Sequence, residues 1–220
     1  IAERLAKAFA AWEKKDPFKE PDPSPAAGNA VIVRINKSLT QANIVMGHDG
    51  VPRGHPDYYA IQVMNYVLGG GGFSSRLMDS IRNQRGLAYS VYSHFDAEKY
   101  VGTFQVVMQT KNETAEEAIR IAKEEVQRIR ERGVTEAELQ AAKDYLIGSF
   151  PLRLDTNRRI ASFLAYVEYL ELGLDYPEQY SQLIQRVTKE DVLRAAQRYL
   201  QPEKFTVVVV ADQEKAKAKP

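Results

Sequence analysis

The chain has no cysteine among its 220 residues, which excludes disulfide frameworks, thiolate metal sites and a cysteine nucleophile. That absence leaves the compartment open, since a cysteine-free chain suits cytosol and periplasm alike. Histidine is scarce. His48, His55 and His94 are the only three, no two stand four apart, and neither H-x-x-E-H nor H-E-x-x-H occurs. No complete zinc site is therefore expected, and hydrogen bonding around the Gly-Val-Pro-Arg-Gly turn is the expected role of His48 and His55. A serine-hydrolase G-x-S-x-G elbow is missing. No apolar run nears the roughly 20 residues of a membrane span. Excess charge is missing too: 30 Lys and Arg against 29 Asp and Glu leave a net +1. A large nucleic-acid footprint needs clustered basic excess, so none is expected. Position 1 is Ile1 rather than methionine, which leaves room for an absent N-terminal stretch with any targeting segment.

What is present is 44% hydrophobic and 27% charged, the balance of an ordinary globular chain of one large domain or two small ones. Ile1, Leu5, Ala8, Phe9 and Trp12 give residues 1–15 an amphipathic helical spacing. Pro17, Pro21, Pro23 and Pro25 then forbid helix, so 16–29 reads as a semi-rigid linker. A helix followed by such a linker fits the end of a preceding domain; an arm docking on its own domain is the alternative. From 30 to 211 the pattern is continuous. Strands are expected at 31–35 and 42–47, and a helix from Asp57 to Leu68 that the Gly69–Gly72 run ends. Ser74 or Ser75 then caps a further helix. Two strands at 88–95 and 102–110 form an antiparallel pair. Ala115, Ile119, Ala122, Val126 and Ile129 make one helical stripe ended by Gly133, and Thr135 with Glu138 makes a capping box. Further helices run from about Thr156 to Leu172, from Pro177 and from Thr188. FTVVVV (205–210) reads as a fully buried strand, and 212–220 as a solvated tail. Strands grouped around helical stretches argue an α+β two-layer sandwich, its mixed and mostly antiparallel sheet carrying helices on one face.

Two features carry chemistry. The run LGGGGFSSRL (68–77) lacks both a leading strand and the Gly-Lys-Ser/Thr of a nucleotide loop, so a phosphate cradle is not expected. A sterically open loop that lets another backbone approach is the functional alternative to a plain helix breaker. In IRNQRGLAYSVYS (81–93), Arg82 and Tyr89 stand seven apart at a helix end and a strand start. They are donors suited to a carbonyl gaining negative charge; spacing alone favours a surface arginine and a core tyrosine.

The stretch LGGGGFSSRLMDSIRNQRGLAYSVYSHF resembles the second domain of the inverted-zinc-motif metallopeptidases. That family holds pitrilysin, insulin-degrading enzyme, and the mitochondrial processing peptidase with its bacterial relatives. The likeness continues through GTFQVVMQTKNETAEEAI, RGVTEAELQAAKDYLIGSF and RVTKEDVLRAAQRYLQPEKFTVVVV, covering about 30–211. It implies that zinc and general base lie in an upstream domain or partner subunit, while this half holds no metal and no cofactor. Arg82 and Tyr89 match the family's arginine and tyrosine position for position; Arg85, four residues from Tyr89, ranks below Arg82. Gly69, Gly70, Gly71, Gly72 and Phe73 match a substrate-contacting glycine-rich loop, which is longer in the processing peptidases. The resemblance thus implies the substrate-binding C-terminal half of a zinc endopeptidase, inactive alone and acting on peptides; the compartment, bacterial cytoplasm or periplasm, stays open. A non-catalytic partner subunit of a heterodimeric peptidase is the alternative, and a peptide-binding module unrelated to proteolysis a weaker one.

Overall fold

A computed structural model describes residues 1–13 and 30–216. The expected proline-rich linker and the last four residues of the tail lie outside the described residues. Helix α1 covers only Ala2–Ala8 of the expected 1–15; none of its residues is buried, and Leu5, Phe9 and Trp12 stay exposed.

The body is a five-stranded sheet with helices on one side. Its strands are β1 (Ile32–Asn36), β2 (Gln41–Asp49), β3 (Ala88–Asp96), β4 (Thr103–Lys111) and β5 (Thr206–Ala211), in the order β1-β5-β2-β4-β3. Only β1 and β5 pair in parallel; every other pair is antiparallel. The helices are α2 (Tyr58–Asn65), α3 (Ala115–Arg132), α4 (Glu136–Ser149), α5 (Asn157–Tyr169), α6 (Tyr176–Gln185), α7 (Lys189–Tyr199) and the single turn α8 (Gln213–Ala216). The α+β sandwich with a mixed, mostly antiparallel sheet is the architecture that the sequence predicts.

Alternation in the strands explains why only one face is covered. Ala42, Ile44 and Met46 of β2, Phe104, Val106 and Met108 of β4, and Val207, Val209 and Ala211 of β5 all point into the core. They meet the α3 stripe of Ala115, Ala118, Ala122, Val126 and Ile129, which repeats at three and four. The residues between them face outward. Register lines up Val33, Val208, Val45, Val107 and Tyr92 as one apolar row crossing all five strands on the bare face. The strand at the C-terminal end is consequently half-buried rather than fully buried, alternating along Thr206–Ala211. An unbroken valine run cannot reveal that its second face lacks a cover.

Local signals place the helix ends. Thr135 with Glu138 and Thr188 with Asp191 both close capping boxes, and Thr156 caps α5. Two expectations need correction. Ser75 stands at the start of the next helical segment, its carbonyl accepting the Asp79 N–H, but neither serine hydroxyl caps it; they donate back to the carbonyls of Gly71 and Gly72. Nor is the start of the tail solvated. Gln213 and Ala216 are buried, and the Gln213 amide donates to the carbonyls of Ile35 and Val209, tying α8 across the β1–β5 pair.

His48 is a neutral clamp. Its ring stacks on Phe205 at 5.4 Å and tilts against Phe104. Nδ1 donates to the Asp49 carbonyl, and Nε2 accepts from the Gln201 N–H at 3.1 Å, joining β2 to the turn before β5. Burial holds its pKa below the usual 6.5, outweighing the Asp49 carbonyl, which favours the cation. The unfolded chain therefore takes up this proton first on acidification, so stability falls as pH drops below about 6.5 and levels off under the lowered folded pKa. Urea unfolding from pH 7.5 to 5.0 should show that limb, and His48→Gln should flatten it. Asp57 and Glu138, with depressed pKa values, lose their contribution only at lower pH.

Candidate functional site

The glycine run is built into a helix end rather than hung as a free loop. α2 widens into a π-helical turn over Tyr66–Gly70, so Gly69 and Gly70 belong to the helix, Gly71 caps it, and Gly72 turns the chain at φ +58°. Gly69 is required by contact. A Cβ there would lie 2.4 Å from Ser93 Oγ and 2.5 Å from Ser93 N, both on β3. The backbone that comes close is therefore the chain's own strand. Around it, Asn65 Nδ2 donates to the Ser93 carbonyl at 3.3 Å while Ser93 Oγ donates to Asn65 Oδ1 at 2.8 Å. This reciprocal pair is buried and fully used, which makes it a rigid anchor.

The chain returns through Phe73 to a second π-helical turn, Met78–Asn83, which carries Arg82. Wide turns of this kind recur at functional sites. Two interactions pin the segment. The Arg76 guanidinium grips Glu138 through two 2.7 Å bonds and also donates to the Gly133 carbonyl. Burial favours the neutral form of Glu138, but Arg76 and the Thr135 N–H together keep its carboxyl below the usual range. Ser80 Oγ donates to the buried Glu125 at 2.7 Å.

Gly86, at φ +63°, turns the chain into β3, where the register slips between Ala88 and Ser90. Tyr89 is the unpaired residue of that bulge, a device that re-aims a side chain beside a site. The Arg82 guanidinium carbon then sits 4.8 Å from the Phe73 ring centroid and 5.2 Å from that of Tyr89. Phe73 is 70% exposed and Tyr89 74%. The structure thus brings Arg82, Tyr89 and Phe73 into one open cluster beside the glycine run. The side chains of Arg82 and Tyr89 make no hydrogen bond or ion pair with the described residues, so their donors are unspent. Arg85 differs, since its Nη1 donates to the Ser80 carbonyl at 2.7 Å. Sequence reasoning missed the bulge and both π turns, which no residue type marks.

The histidines lie apart from this cluster. His55 accepts the Asp57 N–H and approaches the Tyr199 hydroxyl, and His94 Nε2 lies 3.2 Å from Asp96. Among the described residues no group of three or more His, Asp or Glu side chains could hold a metal ion. The described residues therefore do not fit a zinc site. No helix among them is long and apolar enough to cross a membrane.

A family model described as the peptidase M16 inactive domain matches residues 1–146. The chain belongs to the peptidase M16 family. It is 35% identical over 157 residues to the Helicobacter pylori protein named non-peptidase homolog YmxG, covering 71% of this chain and 36% of that protein. An uncharacterized zinc protease of Streptomyces coelicolor is 33% identical over 155 residues, covering 66% of this chain and 34% of the other. The crystal structure of a peptidase M16 inactive domain from Pseudomonas fluorescens superposes with a TM-score of 0.86 at 32% identity, covering 96% of this chain and 50% of that one. A protease from Helicobacter pylori shares the fold with a TM-score of 0.83 at 21% identity. This M16 chain thus spans between about a third and a half of these relatives' own length.

The anchor at Gly69 is open to test. Gly69→Ala pushes a methyl into a strand backbone that cannot move alone, so it should destabilise the domain by about 1–3 kcal/mol. Gly70→Ala meets only the Asn65 side-chain amide at 2.9 Å and that residue's carbonyl at 3.2 Å, and should cost less. Urea midpoints of the two variants against the parent measure the difference.

Proposed function

We propose that this M16 chain is the substrate-facing half of a zinc endopeptidase, supplying donors to the scissile carbonyl and one wall of an enclosing chamber. Zinc and general base would come from an upstream domain or a partner subunit of the same family. The observation that carries this reading is the exposed cluster in which Arg82 is held over the rings of Phe73 and Tyr89 with its donors unspent. Ring faces orient a guanidinium without consuming its N–H groups. A tyrosine hydroxyl and an arginine fork beside a peptide can both hydrogen-bond an oxygen as negative charge builds on it, and such groups act most strongly where water is excluded. Gly72 and Phe73, exposed next to the cluster, would meet the peptide backbone and a side chain.

A second reading keeps the fold and the pairing but not the chemistry: a non-catalytic subunit that completes an active partner. It is favoured by the name of the Helicobacter pylori relative, a non-peptidase homolog. An H-x-x-E-H segment upstream of this domain in its own protein would speak for the enzyme, and its lack for the subunit.

The test uses the zinc-bearing assembly. Tyr89→Phe removes only the hydroxyl, and Arg82→Lys keeps the charge but loses the planar fork. Each should lower turnover on the order of 100-fold to 1000-fold, the usual effect of losing one transition-state donor. Peptide affinity should change far less, and thermal midpoints by no more than about 4 °C. Arg85→Ala, whose guanidinium serves the Ser80 carbonyl, should be milder. Full hydrolysis by Tyr89→Phe would contradict the proposal.

A further inference from the structure

Away from the Arg82 cluster, the helical layer contains a cation that the fold does not neutralise. Arg53, in the turn after β2, is 3% exposed. Its partners are phenols: Nε donates to the Tyr166 hydroxyl at 3.0 Å, and Nη2 donates to the Tyr176 hydroxyl at 2.8 Å. The guanidinium carbon lies 3.7 Å from the Tyr58 ring centroid. Among the described residues no carboxylate pairs with it. A guanidinium stays charged at every accessible pH. Burial raises the pKa of Tyr58 and Tyr176 against the pull of Arg53, so these rings are neutral phenols near neutral pH. The result is a buried, uncompensated positive charge, an arrangement that is costly unless an anion completes it.

Tyr166 links that buried cation to the surface, being 37% exposed. Its hydroxyl accepts from Arg53 and still has its own hydrogen to donate. Tyr166 lines an open pocket of about 360 Å³ with Arg153, Arg159, Ser162 and Phe163. Arg153 has its guanidinium carbon over the rings of Phe150 and Tyr180, at 5.6 and 5.8 Å, and no ion pair among the described residues. Arg159 is less available, because Nη1 serves Asp155 and the Leu152 carbonyl. Across Phe163, which lines both, lies a second pocket of about 250 Å³ walled by Ile160, Leu164, Leu174 and Pro177 among others. Helical spacing sets the pair side by side. Arg159, Ser162, Phe163 and Tyr166 form one ridge of α5, and Ile160, Phe163, Leu164 and Val167 the next.

An oxyanion beside an apolar slot matches one end of a peptide. We propose that the two pockets on α5 bind a peptide C-terminus. The terminal carboxylate meets the Tyr166 and Ser162 hydroxyls and Arg153, and an apolar last side chain enters the slot beyond Phe163. The site deepens the substrate-facing role proposed above and rests on it for the identity of the ligand. Its test needs no zinc and no turnover, so failure here and failure at Arg82 and Tyr89 are separable.

The experiment is fluorescence anisotropy with the 220-residue chain. The probes are an N-terminally labelled hexapeptide ending in leucine, the same peptide as its C-terminal amide, and unlabelled inorganic phosphate as competitor. The free acid should bind at least tenfold more tightly than the amide. Arg153→Gln and Tyr166→Phe should each weaken the free acid about tenfold while leaving the amide unchanged. Arg153 is exposed, so its variant stays informative even if Tyr166→Phe disturbs Arg53 and lowers stability. Phosphate should compete only weakly. Equal binding of acid and amide, no binding of either at millimolar concentration, or unchanged binding by Arg153→Gln would overturn the proposal. Phosphate competing as well as the free peptide would overturn it too, reducing the pocket to a general anion site.

Discussion

Everything around the candidate site hangs on one close approach, that of the end of α2 to β3 at Gly69 and Ser93. No side chain fits there, because a Cβ at Gly69 would fall within 2.5 Å of the Ser93 oxygen and nitrogen. The Asn65–Ser93 pair of hydrogen bonds holds the two elements at that distance. With the helix end fixed against the strand, the chain leaving Gly72 and the strand entering at Tyr89 emerge as neighbours. Phe73, Arg82 and Tyr89 then meet although sixteen positions separate the first from the last.

The second constraint is the sheet with one dressed face. Helices α2 and α3 pack on β3 and β4, α7 packs on both helices, and the inward residues of every strand from β5 to β3 are buried. The other side presents the row from Val33 to Tyr92. The cluster of Phe73, Arg82 and Tyr89 sits at the rim of the dressed layer, beside the glycine run and the bulge at Tyr89.

Much of this was legible in the sequence because it is local. Thr135 and Thr188 announce their helices through the acidic residue three positions on, and Pro177 opens α6 as expected. Arg82 and Tyr89 were reached through a resemblance, not through spacing, which left them indistinguishable from a surface arginine and a core tyrosine. Illegible features depend on distant partners. Arg76 and Glu138 lie 62 residues apart, and Arg53 finds Tyr176 across 123. The buried tail turn was hidden because Gln213 looks polar, yet its amide satisfies carbonyls of strands at both ends of the chain. The valine run of β5 misled for the opposite reason, since hydrophobicity alone does not say how many faces are covered.

That the cluster on this M16 domain faces the reacting carbonyl can be checked by direct observation. A crystal structure of the zinc-bearing assembly with a phosphinic peptide, a mimic of the tetrahedral intermediate, measures the distance from Tyr89 and Arg82 to the phosphinate oxygens. The expected result is a hydrogen bond of about 3 Å from the Tyr89 hydroxyl, with the Arg82 guanidinium reaching the same group or the adjoining peptide carbonyl. A phosphinate held by the zinc-bearing half alone, with Tyr89 still in solvent, would contradict it and leave this domain a scaffold.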